Sequence, residues 1–305
     1  MQLLVTGASG LLGLNLCLTG AAKGYAVTGL VNSRSLQGVP FDVQAVNLLE
    51  TEKALSVIET VQPDAIIHCA AIADLNEAEA DPVLAERVNG EVPGMLAEAA
   101  RRWGIPLVHI STDAVFDGRR SGYIETDPQN PLSVYARTKL QGEKAVLSGY
   151  PDAAVVRTVF YGWSLSGRRS LAEFFIHNLM DGKTIKGFSD TSFCPLYVED
   201  LAEVLLEILS AGLSGVYHVV SPEHLSKYEF GVRLAQAFGF DTSLITPVEV
   251  QAVGRGAPRS NMLILNPDKV QQALRHSLPS VDSGIQRFYQ RWREGYHERL
   301  QRFAG

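Results

Sequence analysis

The chain has 305 residues, 46% of them hydrophobic and 20% charged, which suits one large or two modest domains with a sizeable core. No apolar run reaches the roughly 20 residues that a membrane span requires, and the formal net charge of −6 argues against nucleic acid as the main partner. The N-terminal MQLLVTGASG enters a strand directly, without a basic n-region or cleavage site, so no signal peptide is expected. Cys17, Cys69 and Cys194 are far apart and form no CxxC pair. They carry no zinc or redox signature and suit a reducing cytoplasm.

Through the first half, short apolar β-branched runs alternate with helical patterns. Strands are expected at 2–7, 25–31, 41–48, 65–71, 106–112 and 153–159. Helices are expected at 11–24, 52–61, 81–104 (with a wobble at Pro93-Gly94) and through VYARTKLQGEKAV, residues 134–146. This is the pattern of a parallel sheet covered on both faces, a doubly wound (Rossmann) α/β domain with its crevice at the carboxyl ends of the strands. After residue 160 the alternation loosens. Helices at 170–182, 198–212 and 227–239 and a strand at 215–221 read as a smaller α+β cap. The expected division is 1–160 for the nucleotide-binding domain, with 196–220 returning to it, and 161–305 mainly for a substrate-binding cap. The C-terminal QRFYQRWREGYHERLQRF reads as an amphipathic surface helix.

The first turn, TGASGLLG, places Gly7, Gly10 and Gly13 three apart between a strand and a helix. Gly7 allows a tight turn, Gly10 a close pyrophosphate at the helix N-terminus, and Gly13 close helix packing. Ser9, Leu11 and Leu12 complete this cofactor cradle. The second strand ends LVNSR, where an acid usually holds a free ribose 2′-hydroxyl. Asn32, Ser33 and Arg34 instead suit a 2′-phosphate, so NADP(H) is favoured over NAD(H). Asn47, beside Leu48, is placed to meet the adenine edge. Ala70, Ala71 and Ala73 leave room for the cofactor, and Asn89 joins this set.

The fifth strand ends HISTDAVF and delivers Thr112 and Asp113 to the crevice. Tyr135 and Lys139 lie four apart, on one face of the next helix. A free phenol has a pKa of about 10, and a neighbouring ammonium favours its anion. Tyr135 is therefore the expected proton donor to a forming alkoxide, tuned by Lys139, with Thr112 bonded to the substrate oxygen.

These stretches, with AAIADLNEAEADP, ETDPQNPLSVYARTKLQGEKAV, VVRTVFYG, CPLYVEDLAE and GVYHVVS, resemble the extended short-chain dehydrogenase/reductase superfamily, and within it the dTDP-4-dehydrorhamnose reductase family. The resemblance implies a catalytic Thr112, Tyr135 and Lys139 and reduction of the 4-keto group of a nucleotide-linked 6-deoxysugar. Departures gather on the substrate wall. Leu75-Asn76 replaces a Val-Asp pair, Ala114 a Tyr, Phe160 stands nearest a Trp position, and Ala257 replaces an Arg that Arg255 and Arg259 flank. Leu75, Asp113, Ala114, Phe160, Arg255 and Arg259 are thus the candidate substrate residues.

His68 and His109 sit on adjacent strands without a third ligand, so they read as structural and no metal is expected. Trp163, Phe174, Phe175 and Tyr197 face either pocket or core. Two other functions stay open. An epimerase or dehydratase needs a second acid/base, for which Glu125 is the nearest candidate. The methionine adenosyltransferase regulatory subunit resembles the same branch and binds NADP without catalysis. Metal-bridged dimers occur among relatives. No acidic cluster marks such a bridge here, and a homodimer remains open.

Overall fold

The computed structural model describes residues 1–250 and 260–305. Its first half runs β1 (Gln2–Thr6), α1 (Leu11–Ala22), β2 (Ala26–Val31), β3 (Asp42–Ala45), α2 (Thr51–Val61), β4 (Ala65–His68), α3 (Leu75–Ala80), α4 (Pro82–Glu86), α5 (Val92–Trp103), β5 (Leu107–Thr112), α6 (Val134–Gly149) and β6 (Ala154–Thr158). Then follow β7 (Phe160–Tyr161), α7 (Leu171–Met180), β8 (Ile185–Phe188), β9 (Ser192–Phe193), β10 (Leu196–Tyr197), α8 (Val198–Ser210), β11 (Gly215–His218), β12 (Leu225–Ser226), α9 (Lys227–Phe238), β13 (Ile245–Val248), β14 (Met262–Leu263), α10 (Asp268–Leu274), α11 (Val281–Arg293) and α12 (Tyr296–Gln301).

Seven of these strands form one parallel sheet in the order β3-β2-β1-β4-β5-β6-β11. The winding reverses between β1 and β4, which opens the crevice at their carboxyl ends. Side chains alternate across the sheet. Leu3 and Val5 pack against α1 and α8, while Leu4 faces the core shared with α2 and α5. Both faces are therefore dry, and each fully buried aliphatic side chain contributes about 1.5–3 kcal/mol. The remaining strands make small sheets, β12-β9-β14, β13-β8 and β10-β7.

Two expectations are corrected. The irregularity expected at Pro93-Gly94 is a π turn over Arg87–Glu91, just before α5. Pro93 cannot donate to the helical ladder, so the turn upstream widens. The backbone there lies against α6 so closely that a Cβ on Gly142 would stand 2.2 Å from the Asn89 carbonyl oxygen.

The C-terminal stretch is amphipathic but is not one helix. It splits at Gly295 (φ +70°) into α11 and α12, whose apolar faces bury Phe288 and Leu300 completely. Trp163 stacks on Phe288 with ring centroids 4.1 Å apart and donates its indole N–H to the Phe288 carbonyl at 3.0 Å. Arg287 and Arg291 pair with Glu199 and Asp200 in the first turn of α8. Trp163, Phe175 and Tyr197 are core residues, whereas Phe174 is half exposed. No described helix is long and apolar enough to cross a membrane.

Candidate active site

The glycine turn is built around Gly7, whose φ of +69° favours a residue without Cβ. A Cβ on Gly7 would also meet the Ala70 backbone at 2.8 Å, and one on Gly13 would stand 2.1 Å from the Gly7 carbonyl oxygen. The turn is thus pressed against the end of β4, and α1 against the turn. Helix α1 starts at Gly10 with no side-chain cap. The first N–H groups of a helix have no internal acceptor, so this is a cradle shaped for an anion. Thr6 Oγ1 accepts from the Cys69 and Ala70 N–H groups, which locks the β4 end beside it. The residues present fit the pyrophosphate of a dinucleotide.

Around the cradle, Asn32, Ser33 and Arg34 are exposed beyond β2. Asn47 and Leu48 lie beyond β3, and the Asn47 Oδ1 accepts from the Leu49 N–H at 3.1 Å. Ala71 is half-buried and Ala73 exposed. Asn89 is fully buried. Its amide accepts from the Ile72 N–H and donates to the Ile72 carbonyl, so it pins the segment that carries Ala70, Ala71 and Ala73.

Helix α6 starts at Ser133, whose hydroxyl accepts the Ala136 N–H at 3.1 Å. The helix places Tyr135 at the cleft and Lys139 beneath it. Thr112 ends β5, accepts the Ala114 N–H and donates to Asp113 Oδ1, both at 3.1 Å. The Thr112 hydroxyl is also within hydrogen-bond reach of the Tyr135 phenol, so its single proton serves either Asp113 or the phenol. Burial pushes that phenol up to about 12, the Thr112 bond pulls it down and the Asp113 charge pushes it up.

Lys139 stands one helical turn beyond Tyr135 on α6, and its ammonium is buried. Its Nζ donates to the Ile110 carbonyl at 2.6 Å and lies 3.4 Å from His109 Nε2. Burial lowers its ammonium to about 8 against the opposing pull of Glu143 and Cys69.

His68 and His109 stack with centroids 5.2 Å apart, and burial holds both neutral. Among the described residues no cluster of three or more His, Cys, Asp or Glu side chains could hold a metal ion. Glu125 does not reach the cleft, because its Oε1 accepts the His218 N–H at 2.9 Å and its carbonyl accepts from Arg157. Arg255, Arg259 and Ala257 lie outside the described residues.

Thr112 and Tyr135 share the wall of a cleft of about 340 Å³ with Asp113, Ala114 and Leu75. Phe160 is half-buried at β7 and does not line it, whereas its neighbour Val159 does. Asp113 is buried, and burial raises its carboxyl to about 7 against the pull of Thr112 and of the Lys227 charge. Sequence reasoning missed Ser133, Thr191, Phe193 and Lys227, which also line the cleft. It also missed the support below. The guanidinium of Arg157 grips buried Glu143 through Nε and Nη2, and Ser111 donates to the same carboxylate at 2.5 Å. The pair ties α6 to β5 and β6.

A doubly wound sheet with this glycine cradle, and a Thr-Tyr-Lys constellation at its edge, is the architecture of an NAD(P)-dependent oxidoreductase of the short-chain dehydrogenase/reductase superfamily. Residues 1–294 match the family model for the RmlD substrate binding domain, and the chain belongs to that family. It is 34% identical over 291 residues to the probable low-salt glycan biosynthesis reductase Agl14 of Haloferax volcanii, covering 93% of this chain and 96% of that one. It is 35% identical over 272 residues to the dTDP-4-dehydrorhamnose reductase of Mycobacterium tuberculosis, covering 87% and 84%. Against methionine adenosyltransferase 2 subunit beta of Bos taurus it is 32% identical over 270 residues, covering 86% and 80%. The crystal structure of dTDP-4-dehydrorhamnose reductase from Bacillus anthracis in complex with NADP superposes with a TM-score of 0.81 at 26% identity, covering 94% of this chain and 98% of that one.

Proposed function

We propose that the chain is a cytoplasmic NADP(H)-dependent reductase of a nucleotide-linked 4-keto-6-deoxysugar. The observation that carries this reading is the pairing of the Tyr135 phenol with Thr112 on the wall of one cleft at the carboxyl end of β5. A reduced nicotinamide, when bound, supplies hydride to the carbonyl carbon. Thr112 and Tyr135 bond the carbonyl oxygen and hold it in the geometry for attack. As negative charge develops on that oxygen, the Tyr135 proton moves to it. The Lys139 ammonium, seated on the Ile110 carbonyl one helical turn beyond Tyr135, compensates the phenolate left behind. Gly7, Ser9, Gly10, Leu11, Leu12 and Gly13 hold the pyrophosphate, and Asn32, Ser33 and Arg34 the 2′-phosphate. The small side chains of Ala70, Ala71 and Ala73 leave the cofactor its space.

A second reading is favoured by Asp113. A buried carboxyl near pH 7 beside Tyr135 is a second acid/base of the kind an epimerase or dehydratase needs. A third follows from the methionine adenosyltransferase subunit beta relatives, a partner protein without turnover. NADPH consumption on a panel of nucleotide-4-keto sugars separates the three. Stoichiometric oxidation with one of them supports the reductase. Sugar conversion without net oxidation supports the second reading. Tight NADPH binding with no conversion, unchanged in Tyr135→Phe, supports the third.

A further inference from the structure

The cleft beside Tyr135 measures about 340 Å³. That is near the lower end of small-molecule pockets, about 300–1,000 Å³. It accommodates a sugar ring but not a whole nucleotide sugar. A second cleft of about 620 Å³ lies between α7 and β8, walled by Leu171, Phe174, Phe175 and Phe188. The two clefts share one wall residue, Lys227. Among the described residues lining the first cleft, Lys227 is the only cation and Asp113 the only carboxylate, and the two charges sense each other.

The base of Lys227 is fixed. It is the first residue of α9, directly after the Ser226 cap, which accepts the Glu229 N–H at 3.1 Å. Its own backbone N–H donates to the Thr191 carbonyl at 3.0 Å. The four-carbon stem therefore starts from a rigid point between the clefts. Phe174, half exposed, presents an apolar ring in the second cleft, held edge-on to Phe175 with centroids 5.7 Å apart. One cleft thus offers hydrogen bonds and a proton, the junction a positive charge, and the other an aromatic face.

We infer that Lys227 reads the phosphates of the substrate, with the sugar in the Tyr135 cleft and the nucleoside beyond Lys227 toward Phe174. This rests on the nucleotide-sugar reading above and adds to it a residue and an orientation. Lysine acts here as a point charge for phosphate oxygens. Lys186 lines only the second cleft and serves as an internal control.

The test is calorimetric titration of the NADPH-saturated protein with dTDP and with thymidine, for the wild type and for Lys227→Met, Lys227→Arg and Lys186→Met. Loss of a charge-assisted contact predicts that Lys227→Met weakens dTDP by about 10–100-fold while thymidine binding stays unchanged. Lys227→Arg, which keeps the charge, and Lys186→Met stay within a few fold of wild type. Retained NADPH affinity certifies that each variant is folded, and Lys227→Gln, which also removes the charge, takes the place of Lys227→Met if that variant is not. Unchanged dTDP affinity in Lys227→Met overturns the inference. Equal loss of dTDP and thymidine overturns it too, since Lys227 would then only shape the wall, as does a wild type that binds no dTDP. The reductase reading fails separately. Lys227-dependent dTDP binding with no NADPH oxidation on any keto-sugar keeps Lys227 and removes the reaction.

Discussion

The Lys139 ammonium donates to the Ile110 carbonyl oxygen at 2.6 Å, which seats the cation on the backbone of β5 one helical turn beyond Tyr135. Its pKa of about 8, set first by burial, then gives the pH dependence a direction. As pH rises through about 8 the ammonium is lost, whereas Tyr135 keeps its proton to about 12. The alkaline limb of the rate profile therefore belongs to Lys139. A profile of kcat from pH 6 to 10 should fall above about 8, and Lys139→Met should lose that limb along with most of the rate. Tyr135→Phe should lower kcat by about 10²–10⁴-fold at every pH, with NADPH binding retained.

Asp113 makes a prediction about stability. Its carboxyl is held at about 7 in the folded protein, against 3.8 for the free group. Between those values the native protein holds a proton that the unfolded chain has released, so stability falls as pH rises across the window and stays lower above it. Asp200, raised to about 6, adds a contribution of the same sign. Asp113→Asn should flatten the decline in Tm between pH 5 and 8. It should stabilise the protein by on the order of a few kcal/mol at pH 8. An unchanged slope would contradict a neutral Asp113.

Gly13→Ala places a methyl 2.1 Å from the Gly7 carbonyl oxygen. Backbone cannot yield as a side chain can, so either the turn or α1 must move, at a cost of about 1–3 kcal/mol. The cradle is the element that shifts. NADPH affinity, read by fluorescence titration, should therefore drop by more than the loss in Tm alone would imply.

Arg34 is exposed beyond β2. If it grips a 2′-phosphate, Arg34→Ala should weaken NADPH by about 10–100-fold and leave NADH within a few fold, with Tm unchanged. Equal effects on the two cofactors would remove the argument for NADP(H).

What could be read from the sequence was what is local. Alternating apolar runs revealed the parallel sheet, because strands buried on both faces are apolar throughout. The spacing of Gly7, Gly10 and Gly13, and of Tyr135 and Lys139, is settled within single turns of chain. The rest depended on partners distant in sequence. Arg287 and Arg291 read as solvent charges until the first turn of α8 supplied Glu199 and Asp200. Their helix then turns its aromatic side to Trp163. Lys139 and Tyr135 are four apart in sequence, but the Ile110 carbonyl of β5 that seats the ammonium carried no local signal. Lys227 carries no local signal at all. Only the pairing of β12, which runs into α9, with β9 brings it to the cleft.

The central claim is a direct hydride transfer to a sugar carbonyl with Tyr135 as the proton source. It is tested by incubating the protein with NADPH deuterated on its transferable C4 position and dTDP-4-keto-6-deoxysugar, then locating the label by mass spectrometry and NMR. The account predicts one deuterium at sugar C4 per NADPH oxidised, with label transfer slowed by about 10²–10⁴-fold when Tyr135→Phe replaces the wild type. Sugar conversion with no deuterium in the product and no net NADPH loss would contradict it.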